Sequence, residues 1–92
     1  MTLTKTFKPR IAAHARLHFD KIENRYMLLF PEAAMALNET GPEILKLCNG
    51  DRTIDEIVTT LATTYGAAPS EIQEDVLEFL EALHMRKLVE GA

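Results

Sequence analysis

The apolar positions change period once along the chain, near Asn38. Arg16-Leu-His-Phe-Asp20 alternates polar and apolar residues, which predicts a half-buried strand with Leu17 and Phe19 inward and Arg16 and His18 facing water. Lys21-Ile-Glu-Asn24 supplies a turn. Tyr26 to Phe30 is an apolar run suited to a second strand. Pro31-Glu32 breaks it, because proline has no N–H to give to a ladder. Ala33 to Leu37 resumes as a short third strand whose small residues let another backbone come close. Consecutive strands with short turns predict an antiparallel sheet. A short strand at the border of a sheet keeps unpaired N–H and C=O groups, and such groups can take up a peptide as an extra strand.

Beyond Asn38 the period is helical, and three helix starts share one signature. A capping box sets Ser or Thr at the cap and Glu or Gln three residues on. Thr40-Gly-Pro-Glu43, Thr53-Ile-Asp-Glu56 and Ser70-Glu-Ile-Gln73 all fit. The first helix is expected to bury Ile44, Leu45 and Cys48 and to stop at Asn49-Gly50. The second buries Ile54, Ile57, Val58, Leu61 and Tyr65 and stops at Gly66. The third buries Ile72, Val76, Phe79, Leu80 and Leu83, with Leu77 at the margin, and runs to about Lys87, where Arg86 and Lys87 suit the negative end of the helix dipole. Leu88 and Val89 add a last contact. The wide apolar stripe of this third helix is core by default and, beside a sheet edge, the wall of a groove.

The pattern before Arg16 is weaker. Scattered apolar residues and Pro9 predict a flexible lead-in over residues 1–14, with Ile11 touching the core, ahead of a single domain at 15–92. Ninety-two residues suffice for one modest core. No apolar run is long enough for a bilayer helix, and no leader pattern is seen, so a cytoplasmic protein is expected. The single cysteine, Cys48, has no internal disulfide partner, which suits a reducing compartment. The net charge of −4 is unevenly spread: residues 1–25 hold six basic and two acidic groups, residues 26–92 four basic and twelve acidic. An acidic helical part disfavours nucleic acid as its partner.

No catalytic constellation is present in the sequence. His14, His18 and His84 are not at ligand spacing with Cys48 or with one another, so neither metal nor cofactor is expected. Cys48 on an apolar face is a packing thiol. The outward acidic run Glu71, Glu74, Asp75, Glu78 and Glu81 is by default a solvated face.

From Arg16 to Val89 the sequence resembles the PqqD family of pyrroloquinoline quinone biosynthesis, one of the RiPP recognition elements that capture leader peptides. The resemblance is carried by Leu28-Leu29-Phe30-Pro31-Glu32, Leu37-Asn38-Glu39-Thr40, Ile44-Leu45-Lys46-Leu47-Cys48-Asn49-Gly50, Thr53, Glu56-Ile57, Leu61, Tyr65-Gly66, Asp75-Val76, Phe79-Leu80 and Leu83. Two turn positions depart from it: Asn49 stands where the family has Asp, and Glu23-Asn24 where it has a glycine. The resemblance implies an α+β fold, a three-stranded antiparallel sheet followed by three helices in a winged helix-turn-helix-like arrangement. It implies a non-catalytic chaperone that binds a ribosomally made precursor peptide by strand addition and presents it to a radical SAM enzyme. The implied peptide-binding residues are Ala33, Ala34, Met35, Ala36, Leu37 and Asn38 on the third strand, and Ile72, Asp75, Val76, Phe79, Leu80 and Leu83 on the third helix.

A winged-helix DNA-binding regulator is the alternative. It needs a basic recognition helix, whereas the third helix is acidic until Arg86-Lys87 and the second has no Lys or Arg. An open edge strand also allows a homodimer through strand pairing or element swapping.

Overall fold

The computed structural model describes residues 3–92. Three strands, β2 (Arg16–Asp20), β3 (Arg25–Phe30) and β4 (Ala33–Ala36), form an antiparallel sheet in the order β2-β3-β4. The helices α1 (Gly41–Lys46), α2 (Ile54–Tyr65) and α3 (Pro69–Met85) follow. Two further strands, β1 (Pro9–Ile11) and β5 (Val89–Gly91), pair antiparallel as a second, two-stranded sheet. The α+β fold with a three-stranded sheet and three helices is therefore the one expected; the second sheet is an addition to it.

The registers of the large sheet explain its two faces. Leu17, Leu28 and Met35 lie opposite one another across the three strands, as do Phe19 and Tyr26. This row faces the helices, and Leu28 at its centre is completely buried. Arg16, Leu29 and Ala34 form a row on the opposite face, with His18, Met27 and Ala36 beside it. Phe19 sits on the inner face but at its border, where it remains 41% exposed and meets the Tyr26 ring edge-on at 5.0 Å between centroids.

Both turn departures from the family pattern keep the geometry the turn needs. Asn24 takes the left-handed backbone at φ 56°, a conformation asparagine reaches more readily than most residues and glycine most readily of all. The Asn49 carboxamide oxygen accepts the Asp51 N–H at 3.0 Å, a bond an aspartate would make equally.

One core joins the sheet to the helices. Leu28, Leu45, Ile54, Ile57, Val58, Leu80 and Val89 are its most deeply buried side chains. Of the three capping boxes, only Thr53 forms in full: its hydroxyl accepts the Glu56 N–H at 3.1 Å and the Glu56 carboxylate accepts the Thr53 N–H at 2.8 Å. That backbone bond holds the Glu56 carboxyl below its usual range. At α1 the Thr40 side chain caps nothing. Asn38 does the work instead, its Oδ1 accepting the Gly41 N–H at 2.8 Å and the Thr40 N–H at 3.2 Å. The third start lies earlier than Ser70: Ala68 is the cap, Pro69 takes the first turn, and Glu71 reaches back to the Ala68 N–H at 3.1 Å. Tyr65, expected inside, is 47% exposed.

The expected flexible lead-in is corrected over residues 3–14. Leu3, Pro9 and Ala12 are buried, and the single core runs from Leu3 to Val89. The segment also meets a need of α2. A helix begins with N–H groups that have no partner within it. Here Ile54 N–H donates to the Phe7 carbonyl at 2.9 Å and Asp55 N–H to the Lys5 carbonyl at 3.1 Å. The opening residues thus serve as a backbone cap for α2 and, through β1, as the pairing partner of β5. Residues 1 and 2 of the expected lead-in lie outside the described residues.

Candidate functional site

The strand β4 borders its sheet, and its hydrogen-bond parity follows from one bond. Leu37 N–H donates to the Tyr26 carbonyl at 3.2 Å, so Leu37 faces β3. Successive residues of a strand direct their N–H and C=O groups to alternate sides. Met35 and Ala33, opposite Leu28 and Phe30, therefore also face β3. Ala34 and Ala36, opposite Leu29 and Met27, turn their N–H and C=O groups to the open edge. Both alanines are exposed, as is Ala33. Their side chains are methyl groups, so little but backbone stands at this edge.

The helix α3 approaches the Asn38 end of β4. Its expected site residues divide into two groups. Val76, Leu80 and Leu83 are 2%, 0% and 2% exposed and belong to the core; Leu37 on the strand side, at 5%, joins them. This corrects their expected contact with a peptide. They lie one to two turns apart on the innermost line of α3, packed against side chains of the sheet and α2, and no surface of theirs is free. Ile72 and Phe79 flank that line, half-buried against the core, and Asp75 is exposed. Met35 is half-buried on the inner face.

Asn38, Asp75 and Phe79 meet at an open cleft of about 480 Å³, which Thr40, Ile44 and Glu78 complete. The Phe79 ring lies against the start of α1 because Gly41 has no side chain. A methyl there would sit 3.3 Å from two ring carbons and 3.3 Å from the Asn38 Oδ1. Asn38 consequently contributes to the cleft as a structural anchor, its carbonyl oxygen occupied by the α1 cap, with Thr40 Oγ1 as a further donor at 3.1 Å. Sequence reasoning missed Thr40 as a cleft residue and read Ile44 as core alone. Only the position of α1 between β4 and α3 brings them to this place.

The remaining candidates carry no chemistry. Cys48 is buried, its thiol donates to the Ile44 carbonyl at 3.2 Å, and burial pushes its pKa up to about 12. The thiol stays protonated at neutral pH. His84 meets Phe7 edge-on at 5.4 Å. Among the described residues no group of three or more His, Cys, Asp or Glu could hold a metal ion, and no helix is long and apolar enough to cross a membrane. The exposed side of α3 presents Glu71, Glu74, Asp75 and Glu78. That surface repels a phosphate backbone.

Comparison with known proteins shows the family and the fold. The family described as coenzyme PQQ synthesis protein D (PqqD) matches residues 25–89. A PqqA binding protein of Rhodopseudomonas palustris (strain BisB5) is 37% identical over 83 residues, covering 90% of this chain and 81% of its own length. The solution structure of the PqqD part of Methylobacterium extorquens PqqCD, described as a functional and stand-alone RiPP recognition element, superposes with a TM-score of 0.77 at 35% identity, covering 89% of this chain and 87% of that one. TbiB1, solved in complex with the TbiA(beta) leader peptide, shares the fold at a TM-score of 0.74 and 22% identity, over 90% of this chain and 96% of its own. With the family match spanning most of its length, this chain belongs to the PqqD family.

Proposed function

We propose that this protein is a peptide chaperone of pyrroloquinoline quinone biosynthesis that captures a ribosomally made precursor peptide as a fourth strand on β4. The observation that carries the proposal is the open edge of β4, where Ala34 and Ala36 present unpaired backbone groups beside the cleft of Phe79. Backbone bonds supply affinity, and side chains of the peptide on the inner face enter the space between β4 and α3. Phe79 and Asp75 border the cleft at its Asn38 end, and we assign Met35 and Ile72 to the same space. Leu37, Val76, Leu80 and Leu83 support it from below, and Ala33 and Asn38 mark its ends. Similarity to PqqA-binding relatives supports a PqqA-type peptide as the occupant.

The chaperone holds the peptide and leaves the chemistry to a radical SAM enzyme, to which it presents the bound segment in the cytoplasm. Holding the substrate raises its effective concentration at the enzyme. The same edge would serve a second copy of the chain, and peptide and second copy would then compete for it.

Isothermal titration with full-length PqqA of Rhodopseudomonas palustris tests the proposal. The parent protein should bind it in a one-to-one complex. Phe79→Ala should weaken binding about tenfold by removing an aromatic wall. Because the ring is half-buried, its loss should destabilise the domain by less than the ~3–5 kcal/mol of a fully buried phenylalanine. A parent protein that gives no binding, or a folded Phe79→Ala variant that binds like the parent, would remove the cleft from the account.

A further inference from the structure

Two separate depressions, one at each end of β4, differ in charge. At the Asn38 end the cleft is bordered by Asp75 and Glu78. At the other end, beside the Pro31-Glu32 turn, a second depression of about 420 Å³ is lined by His14, Phe30, Glu32, Arg86, Lys87 and Leu88. There the Arg86 guanidinium lies over the Phe30 ring at 5.4 Å from its centroid, which fixes one positive charge next to the start of β4. Lys87 is exposed beside it. Among the described residues none of Asp75, Glu78, Arg86 and Lys87 forms an ion pair, the two pairs present being Arg10 with Glu90 and Lys46 with Glu43.

The spacing of the ends matches on both walls. Extended chain from Ala33 to Asn38 covers about 17 Å. Helix from Asp75 to Arg86 also covers about 17 Å. The chain passes from the basic depression at Glu32 to the acidic one at Asn38 along β4, and from the acidic one at Asp75 to the basic one at Arg86 along α3, so strand and helix run in opposite directions between them. A strand seated on β4 rises about 3.3 Å per residue and points alternate side chains to opposite faces, so two side chains that both face the groove and reach its two ends stand about four or six residues apart.

From this we infer that the groove selects a peptide segment by charge polarity: a cationic side chain at the Asp75 and Glu78 end, and an anionic one on the same face about four or six residues away at the Arg86 and Lys87 end. The inference rests on capture of the precursor at β4. It adds what fixes the peptide's register and direction on an edge whose backbone bonds alone would accept a strand shifted by two residues. Glu32, at the basic end, opposes the anion partly, and its removal should tighten binding.

Charge reversal in the whole protein tests the inference with R. palustris PqqA as the probe. Asp75→Lys with Glu78→Lys, and separately Arg86→Glu with Lys87→Glu, should each weaken binding about tenfold at low salt, and most of either loss should vanish near 0.5 M salt, where charges are screened within a few ångströms. The loss at each end should be recovered by one reciprocal substitution in the peptide, a cation made anionic for the first pair and an anion made cationic for the second, at same-face positions about four or six residues apart. All four positions are exposed or half-exposed, and circular dichroism melts establish that the variants are folded. Unchanged affinity on reversal of either end, or no peptide position that gives recovery, would overturn the polarity while strand capture stands. A parent that does not bind the probe removes both.

Discussion

Proline in place of Ala36 is expected to leave the domain folded and to weaken capture of the peptide strand at least about thirtyfold. The Ala36 N–H faces the open edge, opposite Met27 in a pair that exchanges no backbone bonds. Replacing it with proline removes no bond from the sheet, and an edge strand is where proline is tolerated. For an incoming strand the same change is severe. The peptide carbonyl that would accept this N–H is left without a partner, which costs about 2 kcal/mol or about thirtyfold in affinity. The ring also occupies the space the peptide backbone must enter. Ala34→Pro should act alike. Met35→Pro should reverse the outcome, because the Met35 N–H faces β3 opposite Leu28, which is fully buried. Its loss should lower the melting temperature strongly. Thermal melts read beside titrations with PqqA decide the case, and Ala34 and Ala36 variants that unfold while the Met35 variant stays native would show the parity to be inverted.

The second large effect is expected at Val76. At 2% exposure its side chain has no access to a peptide, and Val76→Asp places a carboxylate in the core. Burying an unpaired charge costs several kcal/mol, a large part of the ~5–15 kcal/mol that holds a small domain together. The variant should lose its cooperative melt. Leu80→Ala, at a position with no exposure, should cost ~2–5 kcal/mol while the molecules that remain folded bind PqqA as tightly as the parent. This separates the line of α3 that supports the groove from Phe79, which lines it. A folded Leu80→Ala variant with much weaker binding would return Leu80 to the groove surface.

The residues of the sheet and helices were legible because their patterning is local. Alternation at Leu17 and Phe19, the break at Pro31 and the Thr53 box each fix an element within a few residues of themselves. The opening segment was misread for a reason that is also local. Phe7, Pro9 and Ile11 do alternate, but Pro9 interrupts a strand signal, and the partner strand Val89–Gly91 lies at the far end of the chain. Nothing near residue 10 announces that pairing. Likewise the Lys5 and Phe7 carbonyls cap α2 through contacts that no nearby residue encodes.

The candidate groove was legible in its elements and less so in its depth. The stripe on α3 was visible, but its period cannot tell the inner line of Val76, Leu80 and Leu83 from its flank at Ile72 and Phe79. That distinction depends on the angle at which the helix meets the sheet. Asn38 illustrates the same limit: its position in the motif was clear, while its use as the cap of α1 required the chain to turn there. The parity of β4 was likewise beyond the sequence, and a single bond from Leu37 to Tyr26 supplies it.

The most direct test of strand capture is amide hydrogen exchange at β4, read residue by residue by NMR with and without saturating PqqA. The Ala33 and Met35 amides face β3, whereas those of Ala34 and Ala36 face the open edge and should exchange readily in the free protein. Peptide addition should slow Ala34 and Ala36 selectively and leave Ala33 and Met35 nearly unchanged. Saturating peptide that leaves Ala34 and Ala36 exchanging as fast as in the free protein would contradict capture by strand addition.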